Sequence, residues 1–133
     1  MIKIYRYILL FCLIIVSGCQ NKNIDKITEA ESYYISFTVN KNENNSLKMY
    51  INTYDMENGQ IECKNKIPYT AQYPLGVYDK KNNQVYYSSK VHDKYDELFV
   101  KDLNTNKKKQ LTNSFFAINY IFPINNKLYI RCV

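Results

Sequence analysis

From Ser32 onward the apolar positions of this chain recur with a period of two, the spacing of a strand with one face turned to a core. Tyr33 to Val39 (YYISFTV) is rich in aromatic and β-branched residues and reads as a strand. Lys41 to Ser46 (KNENNS) reads as a turn, and Leu47 to Tyr54 as the strand that follows it. Asn58-Gly59 is a strong hairpin signal, because both residues tolerate positive φ. Ile61 to Ile67 is a weaker strand limited by Pro68, and Pro74 and Gly76 punctuate the start of the next unit.

That next unit, Leu75 to Leu111, organises the chain. A strand-like LGVY leads into a polar turn, Asp79 to Gln84, then a strand Val85 to Ser89 and a loop around His92 and Asp93. A strand Leu98 to Asp102 and a turn before Gln110-Leu111 complete it. Four short strands joined by tight turns make one antiparallel sheet. Parts of the unit recur on both sides of it. Tyr33-Tyr34-Ile35, Val85-Tyr86-Tyr87 and Leu128-Tyr129-Ile130 take equivalent places, about 52 and 43 residues apart. Met49-Tyr50-Ile51 matches Leu98-Phe99-Val100, and Asp79 to Gln84 matches Pro123 to Lys127.

Met1 to Cys19 follows a different pattern. Lys3 and Arg6 supply a positive start, and Ile8 to Val16 is an unbroken apolar run of nine residues. A helix needs about 20 apolar residues to cross a bilayer core, so the run reads as the helix of an export signal. It ends in Val16-Ser17-Gly18-Cys19, which resembles the lipobox of bacterial lipoproteins. The resemblance implies a diacylglyceryl group on the Cys19 sulfur and cleavage before that residue, leaving residues 1–18 as a signal peptide. Two or three acyl chains on one residue give a stable anchor where a single chain is marginal. Cys12 lacks the preceding small residues and reads as filler. Gln20 to Glu31 is polar and aperiodic, so residues 19–31 form a lipidated cysteine and flexible tether, with room for a short helix from Asp25 to Glu31. The expected address is the extracytoplasmic face of the cell membrane.

Within the central unit, Asn82-Asn83, Val85-Tyr86-Tyr87, Leu98 to Leu103 and Gln110-Leu111-Thr112 resemble a blade of TolB-type β-propeller repeats. Residues 32–133 are accordingly expected to be all-β: antiparallel four-stranded blade-like sheets forming a partial propeller of about two blades, the alternative being a small β-sandwich or meander. Such propellers bind proteins or small ligands on their faces, and in prolyl-oligopeptidase-type enzymes a separate hydrolase domain does the chemistry. The resemblance therefore implies a non-catalytic module that binds a protein, peptide or glycan. An accessory or substrate-gating role beside a surface peptidase is the alternative. A closed propeller takes four or more blades, so a truncated frame, self-association through open sheet edges, or a compact imitation of blades are the three resolutions. Truncation or a compact partial propeller is favoured over assembly.

Composition supports sheet over helix, with 14 tyrosines and 6 phenylalanines in 133 residues. The whole-chain charge of +6 falls to about +4 once Lys3 and Arg6 leave with the signal. The single basic run, Lys107-Lys108-Lys109, is expected at a solvated hairpin tip. Aromatic residues alternate as sheet residues in an exported chain, which argues against nucleic-acid binding. With Cys19 lipidated, Cys63 and Cys132 remain in an oxidising compartment and are a candidate disulfide. Asp102-Leu103-Asn104-Thr105-Asn106 opens like a calcium loop, but Lys107 replaces the glycine and Asn113 the bidentate glutamate. It reads as an asparagine-rich turn. His92 is the one histidine, with no nucleophile elbow or triad order beside it. No His/Cys cluster has zinc spacing, and no catalytic residue, metal or cofactor is expected.

Overall fold

The computed structural model describes residues 33–92, 95–113 and 115–132. The expected signal helix, the Val16 to Cys19 lipobox, the tether and Asp93 lie outside these residues.

Among the described residues all regular structure is strand, in the order β1 (Tyr34–Glu43), β2 (Ser46–Asp55), β3 (Ile61–Pro68), β4 (Gly76–Asp79), β5 (Gln84–Val91), β6 (Tyr95–Asp102), β7 (Lys108–Gln110), β8 (Ile118–Ile124) and β9 (Lys127–Cys132). They form three antiparallel sheets, β1-β2-β3, β4-β5-β6-β7 and β8-β9, each in sequence order. The all-β expectation holds, and the central unit is one four-stranded sheet. Tyr34-Ile35 lies on β1, Val85 to Tyr87 on β5 and Leu128 to Ile130 on β9, while Met49 to Ile51 lies on β2 and Leu98 to Val100 on β6.

The middle sheet is apolar on both faces because a neighbour covers each. Met49, Ile51 and Ile67 of the first sheet pack with Tyr78, Val85, Tyr87 and Phe99 of the middle sheet. Leu98, with Val77 and Tyr86 beside it, packs with Ile118 and Ile121 of the third sheet. Tyr86 and Tyr87, or Leu98 and Phe99, therefore serve opposite cores, as the period of two requires. The outer edge of β4 is covered too. Three alternate residues of β1, Tyr34, Ser36 and Thr38, present hydroxyls, and Ser36 Oγ accepts the Tyr78 amide at 2.9 Å while Tyr34 OH donates to the Tyr78 carbonyl at 3.1 Å. Side-chain oxygens thus occupy backbone groups that an open edge leaves bare.

Three hairpins share one turn. Asp55, Asp79 and Asp102 each end a strand, and four residues later Gly59, Asn83 and Asn106 take positive φ of 70°, 49° and 58°. Each aspartate Oδ1 accepts backbone amides inside its turn, from Glu57 and Asn58, from Asn82, and from Asn104 and Thr105. This is the local bonding that makes Asp and Asn turn residues. Two more hairpins turn on two-residue Asn-Asn links, Asn44-Asn45 and Asn125-Asn126, with φ between 48° and 61°.

Two expectations are corrected here. The Lys41 to Ser46 turn shrinks to Asn44-Asn45, because two left-handed asparagines suffice to reverse the chain and let β1 run on to Glu43. The basic run is not a hairpin tip. Asp102 fixes the turn over residues 103–106, and Lys108 and Lys109 fall on β7, paired with Lys101 and Val100.

Buried carboxylates tie down the connections between sheets. Asp96, 1% exposed, accepts the amides of Gln72 and Tyr73 in the β3–β4 connection at 2.9 to 3.1 Å. Glu97, 2% exposed, accepts the Thr112 hydroxyl at 2.6 Å and the Phe115 amide at 3.3 Å in the β7–β8 connection. Neighbours on a strand point to opposite faces, so one short strand end serves both crossings. Ser88 adds a third tie, donating to the Tyr73 carbonyl at 2.6 Å and accepting the Leu75 amide at 2.9 Å.

Candidate interaction surface

The third sheet has one face in the core and one outside it. Ile121 and Ile130 are register partners, as are Pro123 and Leu128, and this set turns toward the middle sheet. The alternate set is Tyr120 opposite Arg131, Phe122 opposite Tyr129, and Ile124 opposite Lys127. Tyr120, Phe122, Ile124 and Tyr129 are each 50 to 55% exposed. Four half-exposed large side chains side by side present on the order of 400 Å² of apolar surface, a size that marks interaction sites on monomers.

The face is ordered by its own contacts. The rings of Tyr120 and Phe122 stack with centroids 5.8 Å apart and planes 19° from parallel. Lys127 and Arg131 at its margin make it an apolar strip with a positive rim. On the first sheet a smaller exposed row, Ile35, Tyr54 and Ile61, runs across three strands in register.

Tyrosines divide between surface and core. Tyr78 and Tyr87 are buried. Burial pushes the phenols of Tyr78 and Tyr86 up, and that of Tyr87 up to about 12, because the phenolate is the form that needs water. They belong to packing. Tyr120 and Tyr129 remain available for contact.

The other candidate residues do not come together. Cys63 lies on β3 and Cys132 on β9, in the first and third sheets. Both are exposed free thiols in this structure, on strands of different sheets. Asp102 is committed to its turn, where the Thr105 amide above all holds its carboxyl below the usual range. That bonding explains the calcium-loop likeness as a turn. His92 takes φ of 53° in the exposed link after β5. Among the described residues no group of three His, Cys, Asp or Glu is placed to hold a metal.

Sequence reading missed the buried pair Asp96-Glu97. Two adjacent acids opening the apolar run Leu98-Phe99-Val100 are the signal that could have found it. Compared with family models, with curated proteins and with solved structures, the chain has no significant match in any of the three.

Proposed function

We propose that this chain is a lipoprotein of the cell envelope, anchored through Cys19, whose TolB-like, propeller-type module is non-catalytic and binds a protein over the outer face of the third sheet. The reading is carried by one observation: the Tyr120, Phe122, Ile124 and Tyr129 strip has the apolar character of a middle layer and no cover among the described residues. A sheet with two apolar faces is stable when both are covered. Lys127 and Arg131 beside the strip favour a partner whose apolar patch is bordered by carboxylates.

The propeller part of the reading is supported by sheet connectivity. The middle sheet takes its four strands in order from contiguous sequence, as a propeller blade does.

The test uses the full chain in detergent extracts of its own envelope, with chemical cross-linking of wild type and Phe122→Asp. A protein cross-linked by wild type and lost in Phe122→Asp, with an unchanged circular dichroism spectrum, supports the reading. Identical products from both chains, or soluble glycan competing off the cross-link, overturn the protein-docking assignment. Incorporation of labelled palmitate in wild type and its loss in Cys19→Ala test the anchor separately.

A further inference from the structure

A buried hydrogen-bond donor without an acceptor lies between the first and middle sheets. Asn65 on β3 is 8% exposed, and its Oδ1 accepts a hydrogen bond from Lys101 Nζ on β6 at 3.1 Å. The lysine fixes which way the amide points, since the flipped amide would set donor against donor. Asn65 Nδ2 is then buried with no hydrogen-bond partner. Native structures rarely leave such a group without a partner.

A second observation points to an ion as that partner. Lys101 and Lys108 are register partners on β6 and β7, so their side chains share one face with Cβ atoms about 5 Å apart. The Lys108 ammonium lies 4.2 Å from the centre of the Phe99 ring and 5.8 Å from that of Tyr87, both in the core against the first sheet. Like charges opposite one another repel, and neither lysine has an acid. Among the described residues the ion pairs are Lys64 with Glu62 and Lys66 with Glu43. Asp102, next to Lys101, points to the other face and caps its turn. Water could serve the amide but would leave the two charges facing each other. An acceptor-only anion serves both.

We infer that Asn65, Lys101 and Lys108 form a binding site for a phosphate-class oxyanion between the first two sheets, open at the β7 edge where Lys108 is exposed. The amide and two ammoniums donate to different oxygens of one group, and lysine binds phosphate as a point charge. The chemistry is shared by a free phosphate and by the phosphodiester of a lipid headgroup.

Calorimetric titration of the full chain in neutral detergent, with inorganic phosphate and with a soluble glycerol phosphodiester at matched ionic strength, tests the site. Saturable binding is expected, weakened at least tenfold by Lys101→Met and by Lys108→Met. Lys108 is exposed, so that variant keeps the fold even if Lys101→Met does not. Lys107→Met makes the same charge change just before β7 and should bind as wild type does. Binding of phosphate alone assigns the site to a free anion, and binding of the diester to a headgroup. Failure of both to bind, or equal loss in Lys107→Met, overturns the inference and leaves a water-filled gap or a diffuse charge effect.

Discussion

Thr38 on β1 and Gly76 on β4 exchange two hydrogen bonds through a single hydroxyl. Thr38 Oγ1 donates to the Gly76 carbonyl at 2.9 Å and accepts the Gly76 amide at 3.0 Å. The contact needs a residue without a side chain, because a Cβ on Gly76 would lie 2.5 Å from Cγ1 of the buried Ile51. Gly76→Ala is expected to cost about 1–3 kcal/mol by overpacking. Thr38→Val should cost about 1–3 kcal/mol by leaving the Gly76 amide and carbonyl bare. Urea unfolding measures both, and combining Gly76→Ala with Ile51→Ala should cost less than the two singly, since the second change removes the clash.

Asp96→Ala should free the β3–β4 connection. Two backbone amides lose their acceptor, so a loss of about 1–3 kcal/mol is expected. The chain should also become open to proteolysis between residues 69 and 75. Mass analysis of limited digests locates the cut, and cleavage confined to other segments would count against the clamp.

Alkaline stability is set in part by Tyr87. Its folded pKa of about 12 lies above the ordinary value, so the folded state favours the neutral phenol. Its contribution is complete below about pH 10 and is lost as pH rises toward 12. Tyr78 and Tyr86 are shifted the same way and act with the same sign. Tyr87→Phe should be near neutral at pH 7 and should flatten the fall above pH 10, measured by denaturant unfolding across that range.

The acid side behaves oppositely. Asp102 is held below the usual carboxylate range by the amides of its turn, so its contribution is present above the ordinary carboxylate pKa and disappears as pH falls through its own lower value. Asp102→Asn keeps an acceptor oxygen and loses the titration. Its unfolding midpoint should therefore vary less with pH below 4 than that of wild type, whereas Asp102→Ala should weaken the β6–β7 hairpin at every pH.

The strands were legible because tyrosine, isoleucine and valine alternate with polar residues, and Asn58-Gly59 announced its hairpin. The strand ends were less legible. Lysine tolerates both a turn and an edge strand, so Lys108 and Lys109 carried no local signal, while the decisive bonds run from Asp102 to Asn104 and Thr105. The faces were hidden for another reason. Tyr86-Tyr87 and Leu98-Phe99 make sense only once a sheet lies on each side of them, a relationship between segments that no window of sequence contains. Asp96 and Glu97 resemble surface acids until their partners, 15 to 24 residues away, are brought beside them. Asn65 and Lys101 meet across 36 residues. The Val16 to Cys19 signal is the reverse case, written wholly in local sequence and lying outside the described residues.

Each sheet is built from one uninterrupted stretch of chain, and no strand pairs with a partner from another sheet. A chain emerging N-terminus first from a ribosome or a translocation pore can therefore complete its first sheet before the second has left the exit. No early strand has to wait, unpaired and prone to aggregate, for a late one. The order of synthesis can thus also be the order of assembly.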